Sequence, residues 1–374
     1  AAFADRARSR VVSLQGGDEL SLALWRKLCA ESKRYFGGVY ERLGVTLTEA
    51  DFAGESLYNP VLAEIVAELE KKGLAVESDG ALCVFPAGFV GKGGEPLPLI
   101  VRKQDGGYGY GTTDLAAIRH RVQTLHGTRL VYVVGSPQAQ HLAMVFAIAS
   151  SAGWLAPPAR AEHVAFGSIL GPDRKMFKTR SGETVKLAAL LDEAVERAAR
   201  AVAEKSPDVD AAERDAIARA VGIGAIKYAD LSSDRIKDYV FDWDRMLAFE
   251  GNTAPYLMYA HARSRSILRK AGVAPEAALD GGFRIEAKEE RALALDLLGF
   301  GAVVTQVEAS LEPHHLCTFL YALAKTYSTF FDACPVLKAP SDEVRRARLS
   351  LCEITARTLA RGLGLLGIGA PDRM

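Results

Sequence analysis

Apolar positions follow a helical period at both ends of this chain and a strand period between them. Residues 19–43 place Trp25, Leu28, Cys29, Ser32, Phe36, Val39 and Leu43 along one stripe, which predicts an amphipathic helix. Asn59-Pro60, a capping residue followed by proline, predicts the start of a second helix that runs to about Lys72 and stops at Gly73. Leu74-Ala75-Val76 and Ala81-Leu82-Cys83-Val84-Phe85 flank Asp79-Gly80, a dipeptide suited to a tight hairpin. The glycine-rich stretch from Gly88 to Gly94 reads as a loop.

From residue 97 strands and helices alternate. Leu99–Arg102 and Gly107–Tyr110 read as short strands, and Asp114–Leu125 as a helix. Leu130–Val134 then reads as a buried parallel strand, Pro137–Ala152 as a helix and His163–Phe166 as a strand. Such alternation implies a parallel sheet covered on both faces, with ligands beyond the carboxyl ends of its strands. After Leu187 the strand signal ends. Leu191, Ala194, Val195, Ala198 and Val202 keep a helical spacing. Helical patterns recur over about 208–235, 252–271, 288–298, 312–332 and 341–364. The expected architecture is α/β plus all-α, with an α/β domain in residues 1–187 and a helical bundle in residues 188–374.

Composition narrows the classes. The 374 residues, 49% hydrophobic and 25% charged, suffice for two domains with a core each. Lysine plus arginine and aspartate plus glutamate both number 46, so any RNA-binding surface has to be a local patch. The five scattered cysteines form no Cys-x-x-Cys pair, which argues against a zinc site or a disulfide framework and fits a reducing compartment. No run reads as a membrane span and the first residues lack a signal-peptide layout, so a soluble, cytoplasmic protein is expected.

Three groups of residues can carry chemistry. Lys175 and Lys178 sit three apart in a loop opened by Gly171-Pro172, an arrangement suited to a polyphosphate whose charge changes during reaction; a solvated basic loop has the same pattern. Tyr110, Asp114 and Gln138 converge on the carboxyl edge of the expected sheet: Tyr110 at a strand end, Asp114 in the first turn of the next helix, Gln138 at the mouth of the neighbouring strand. A carboxylate there can accept paired hydrogen bonds from a guanidinium, against which a tyrosine ring packs. Strand packing for Tyr110, a helix-start charge for Asp114 and an exposed helix start for Gln138 are the alternatives. Tyr256 and Tyr259 share one face of a helix capped by Asn252 or Thr253, where they can stack on unpaired bases or line the bundle core. Arg263, Arg265, Arg269 and Lys270 on the following turns can meet phosphates or form a solvated face.

Longer strings carry a resemblance. Residues 166–187, with Lys175-Met176-Phe177-Lys178-Thr179-Arg180-Ser181-Gly182, resemble the nucleotide loop of class I aminoacyl-tRNA synthetases in the form found in arginyl-tRNA synthetases. Tyr110-x-x-x-Asp114-Leu115-Ala116 followed by Val133-Val134-Gly135-x-x-Gln138-x-x-His141 is similar to that family's amino-acid site. Gly54-Glu55-Ser56-x-Tyr58-Asn59, Val11–Asp18, Ile223–Leu231, Tyr239–Trp243 and Gly251–Tyr259 extend the likeness over essentially the whole chain, and Leu365–Met374 matches the family's usual ending.

The resemblance implies a Rossmann-type sheet, here partial, followed by a helical anticodon-binding bundle. It implies an arginine–tRNA ligase, monomeric and without a membrane partner, that activates arginine with ATP and Mg2+ and transfers it to its tRNA. It implies that Tyr110, Asp114 and Gln138 hold the arginine side chain, and that Met176 and Lys178 meet ATP. His141, one helical turn after Gln138 and facing the same cleft, either neighbours the nucleotide or caps and packs against the helix. Lys175 and Lys178 would neutralise the departing pyrophosphate, and Tyr256, Tyr259 and Met374 would meet the anticodon. One part of the family pattern is missing. None of the seven histidines stands in a His-x-Gly-His string, the signature that meets ATP phosphates. The sequence therefore reads as the carboxyl-terminal portion of such an enzyme, inactive by itself; the alternative is a non-catalytic tRNA-binding fragment or paralogue that lost the first half of its catalytic domain.

Overall fold

A computed structural model of the chain describes residues 2–171, 173–175, 186–205, 209–279 and 284–374. The backbone forms two units, Ala1–Glu41 with Val45–Phe166, and Arg42–Gly44 with Gly167–Met374.

The first unit opens with α1 (Ala2–Gln15) and α2 (Glu19–Arg42). The apolar pattern predicts α2 and gives no sign of α1. The stripe on α2 is only partly covered: Val39 is buried, whereas Leu28 and Phe36 stay exposed. Asn59 and Pro60 lie in a 3-10 turn, Glu55–Val61, and α3 (Leu62–Lys71) starts after it, later than the capping pair suggested. Gly73, at φ +68°, ends that helix as expected. β1 (Ala75–Ser78) and β2 (Ala81–Val84) form the predicted hairpin, with Ser78 opposite Ala81 and both Asp79 and Gly80 at positive φ. Two positive φ values define the turn whose twist matches that of the flanking strands.

β3 (Leu99–Arg102) pairs antiparallel with β2. It therefore belongs to a three-stranded antiparallel sheet, not to the parallel sheet expected from residue 97 onward. The expected strand over 107–110 is also replaced: α4 (Tyr110–Gln123) begins at Tyr110, because Gly109 takes the extended conformation of a helix cap. Thr112, β-branched and a modest helix former, is held there by its hydroxyl, which donates to the Val101 carbonyl at 2.6 Å.

The expected parallel pair does form, but its first strand is not covered on both faces: Leu130 is buried, whereas Val131 and Val133 stay exposed. β4 (Arg129–Gly135) and β5 (Arg160–Phe166) run in register from Arg129–Arg160 to Gly135–Phe166, linked by α5 (Ala139–Ser151). Ile65, Leu69, Leu115, Ile118, Val145, Ile148 and Trp154 make the core of this unit. Glu68 is its polar hub: Trp154 Nε1 donates to Glu68 at 2.9 Å, Lys72 lies at 2.7 Å and Arg119 at 3.2 Å. Burial pushes the Glu68 carboxyl up, but these donors outweigh it and hold the group below its ordinary value.

The second unit contains β6 (Ile169–Leu170), α6 (Leu187–Lys205), α7 (Ala211–Leu231), β7 (Tyr239–Val240), α8 (Trp243–Met246) and α9 (Ala254–Ala271). It continues with α10 (Lys288–Leu298), α11 (Phe300–Ser310), α12 (His314–Ala333) and α13 (Asp342–Leu365). The units divide after Phe166, ahead of the boundary expected near residue 188, because β6 pairs in parallel with β7. Asp210, Asp242, Thr253 and Ser341 cap α7, α8, α9 and α13 by accepting backbone N–H bonds. Leu257, Met258, Leu320, Leu323, Tyr327, Phe330, Leu359 and Leu363 lie in the shared core. Contrary to the sequence reading, Lys288–Ser310 is long and apolar enough, by length and composition, to cross a membrane. The pattern escapes detection because Gly299 divides it into α10 and α11, which both pack on α12.

Close packing of α6 on α7 rests on Gly222. A Cβ built there meets the Ala194 carbonyl carbon and oxygen at 2.7 Å, whereas one at Gly364 meets nothing within 4 Å. Gly222→Ala should lower unfolding free energy by about 2 kcal/mol through forced separation of the helices. Gly364→Ala should be neutral or stabilising by about 0.5 kcal/mol. Urea unfolding of both variants checks this contrast.

Candidate functional site

β4 ends at Gly135, the chain makes a 3-10 turn over Ser136–Gln138, and α5 starts at Ala139. This is the carboxyl end of the parallel pair, where open α/β sheets place ligands. Residues 136–140 are exposed there. Gln138 closes the turn, and His141 follows one helical turn later on α5.

α4 supplies the other side chains. Tyr110 is its first residue and Asp114 lies four positions on, so the two share one face. Asp114 thus sits in the second turn, one turn further in than the sequence suggested. Its Oδ2 accepts a hydrogen bond from His141 Nε2 at 2.7 Å. The His141 side chain is 13% exposed and that of Asp114 34%, so the pair is half-sheltered while the carboxylate still reaches solvent. Asp114 Oδ1 has no hydrogen-bond partner among the described residues and can accept a further donor. The Tyr110 ring is tilted over the His141 ring with centroids 4.6 Å apart, and the tyrosine is 63% exposed. Below them, burial pushes the Tyr132 phenol up; Arg121, whose Nη1 donates to Tyr132 Oη at 2.8 Å, opposes this, and the charge of Asp114 adds to the rise.

Tyr110, Asp114 and His141 therefore form one cluster, with Gln138 on the exposed turn that leads to it. The pattern of spacing placed Tyr110, Asp114 and Gln138 at one sheet edge, with His141 one helical turn beyond Gln138. It carried no signal that Asp114 and His141 bond to each other, since that contact joins two helices 27 residues apart.

Lys175 is exposed; its backbone N donates to Asp173 Oδ1 at 3.1 Å and its carbonyl accepts from Gly171 N at 2.8 Å. Met176 and Lys178 lie outside the described residues.

On α9, Tyr256 packs inward with its ring 5.7 Å from that of Tyr321, while Tyr259 is 39% exposed. The Arg263 guanidinium lies 4.8 Å from the Tyr259 and Phe331 ring centres. The pair thus splits between the two roles left open for it, one ring inward and one outward. Met374 packs against the same helical core. Arg265 is not a solvated cation: its Nη1 donates to the fully buried Glu353 at 2.5 Å. Glu312, His314 and His315, at the start of α12, bring three ligand atoms within 4.8 Å of one another and could hold a metal ion. His315 Nε2 lies 3.1 Å from Glu312 Oε2.

Comparison with known families decides the kinship. Residues 1–243 match "tRNA synthetases class I (R), catalytic domain", and residues 257–374 match "DALR anticodon binding domain". The chain belongs to the arginyl-type class I tRNA synthetases. An arginine–tRNA ligase from Thermobifida fusca is 58% identical over 372 residues, covering 100% of this chain and 64% of the relative. The chain therefore spans somewhat less than two thirds of the length of the curated relatives it matches. Among solved structures, the arginyl-tRNA synthetase of Plasmodium falciparum aligns with a TM-score of 0.84 at 30% identity, covering 98% of this chain and 61% of that one. The Thermus thermophilus arginyl-tRNA synthetase aligns with a TM-score of 0.75 at 30% identity, over 85% and 59%. The class I catalytic fold with a parallel sheet, followed by a helical anticodon-binding domain, is thereby the fold of this chain.

A 2.7 Å bond between Asp114 and His141 couples the two residues energetically. Asp114→Asn, His141→Ala and the double variant should yield a coupling of about 1 kcal/mol in a urea-unfolding cycle. Additive effects would contradict the contact.

Proposed function

We propose that the protein is an arginine–tRNA ligase, in which Asp114 selects the guanidinium of arginine. The observation that supports this reading most is the half-sheltered Asp114 carboxylate. One of its oxygens is fixed by His141 and the other can still accept, beside an exposed tyrosine ring. A planar cation with several N–H donors suits such an acceptor. Tyr110 would pack against the guanidinium plane and Gln138 would add a polar contact from the turn after β4.

The arginine carboxylate would attack the α-phosphate of ATP, releasing pyrophosphate. A terminal ribose hydroxyl of the tRNA would then attack the carbonyl of the adenylate, taking arginine and releasing AMP. No protein nucleophile is needed, because positioning and charge stabilisation carry such a reaction. The exposed start of α5 beyond β4 fits a nucleotide by its place in the fold. His141 and Met176 are assigned to ATP, and Lys175 and Lys178 to the departing pyrophosphate. Mg2+ would travel on the phosphates of ATP, the usual way this ion enters phosphate chemistry. Tyr256, Tyr259 and Met374 are assigned to the anticodon loop, with the exposed Tyr259 ring available for stacking. Catalysis by a cytoplasmic monomer without a membrane partner completes the reading.

In the intact protein, arginine should be charged onto arginine tRNA in the presence of ATP. Asp114→Ala should lower kcat/KM for arginine by about a hundredfold or more, with the KM for ATP moved far less. Steady-state aminoacylation across arginine and ATP concentrations measures both. An unchanged arginine dependence would remove Asp114 from the site. A protein that binds the tRNA but charges nothing would be the non-catalytic relative instead.

A further inference from the structure

The last residues of the chain are tied to α9 by a cationic clasp. The helix ends at Leu365, and Leu366 and Ile368 are buried anchors. Beyond them Asp372 meets three basic side chains in succession along one stripe of α9. His261, 1% exposed, lies with Nε2 3.0 Å from Asp372 Oδ1 and with Nδ1 3.0 Å from the Ala356 carbonyl of α13. Arg265 Nε is 3.4 Å from the same Oδ1, an ion-pair distance without hydrogen-bond geometry. Arg269 Nη1 donates to the Asp372 backbone carbonyl at 3.0 Å. Arg265 is itself fixed by Glu353, fully buried, which also accepts from Arg357 Nε at 2.5 Å. The only other ion pair on the tail among the described residues is Arg373 with Glu213, at 3.6 Å.

This arrangement is more than helix-end packing. The Asp372 side chain is 68% exposed, so its contacts hide little apolar surface. What they fix is direction: a side-chain oxygen and the main-chain oxygen of one residue are each held, two positions before Met374. Two residues span at most about 7 Å, so a fixed Asp372 confines where Met374 can lie. Met374 packs on the helical core that Tyr256 also lines. The three clasp residues, 261, 265 and 269, lie off the 256–259–263 stripe of α9 and make their contacts with Asp372 instead.

We propose that Asp372 is a positioning residue for tRNA: clasped by His261, Arg265 and Arg269, it holds Met374 where the anticodon loop meets it. The proposal rests on the ligase reading above. Its pieces are long-range in sequence, 111 positions between His261 and Asp372, so no motif signals them.

The test uses the intact protein, with arginine, ATP and arginine tRNA. Asp372→Ala and Met374→Ala should each raise the KM for tRNA about fivefold while kcat and the KM for arginine stay within about twofold. Because Asp372 acts through Met374, the double variant should be no worse than either single one. Asp372→Asn, which keeps the shape and weakens the charge pairing, should fall between wild type and Asp372→Ala and guards against a folding defect. An unmoved tRNA KM in Asp372→Ala, or effects that multiply in the double variant, would overturn the clasp. Absence of charging by the wild type would overturn the ligase reading, and the clasp's role with it.

Discussion

Asp114 Oδ2 lies 2.7 Å from His141 Nε2, and this contact joins the two helices that border the carboxyl end of the parallel strands. A carboxylate that is one-third exposed would otherwise sample several rotamers at the rim of the sheet. The imidazole, itself packed against the Tyr110 ring, holds it in one and leaves the second oxygen without a hydrogen-bond partner among the described residues. An acceptor already oriented needs no reorganisation when a donor arrives, which is how binding sites gain selectivity at low entropic cost. Side chains support this from both ends of α4. Thr112 ties the first turn of α4 to β3, and Arg121 ties its far end to Tyr132 on β4.

Much of the framework is legible in the residues. Asp79-Gly80 forces two positive φ values and yields the hairpin, and the apolar run 130–134 yields the parallel strand β4, though only Leu130 is buried while Val131 and Val133 stay exposed. Where the reading goes astray, a local signal has been outweighed. Tyr108 and Tyr110 alternate with glycines and so mimic a strand, yet Gly109 caps a helix because the Val101 carbonyl engages Thr112. β6 and β7 are two residues each, too short for any periodicity to show. The partners Asp114 and His141 are identifiable one by one, from a resemblance to known synthetases, but their bond is a tertiary fact.

The helical unit shows the same division between visible pattern and invisible pairing. Its caps and apolar stripes announce α9, α12 and α13 almost to the residue. Its buried charges do not announce themselves. Glu290 is fully buried, and burial pushes its carboxyl up. The backbone N–H groups of Ala287 and Glu286 and the Arg348 guanidinium, at 2.6 Å, outweigh this and hold it below its ordinary value. Stability from this group is therefore present above its unfolded pKa and fades as pH falls through the folded one. Glu353 plays the matching part under α9, between Arg265 and Arg357. Such pairs add little net stability over apolar residues, but removing one partner is costly, so they enforce a particular register of helices. That register carries Tyr259 to the surface and seats the carboxyl-terminal tail.

The account turns on which group of this protein receives the guanidinium. A crystal structure of the intact protein with arginine bound addresses it directly. The account predicts a guanidinium nitrogen at about 3 Å from Asp114 Oδ1, with His141 still on Oδ2. A guanidinium bonded elsewhere, with Asp114 touching only His141, would contradict it.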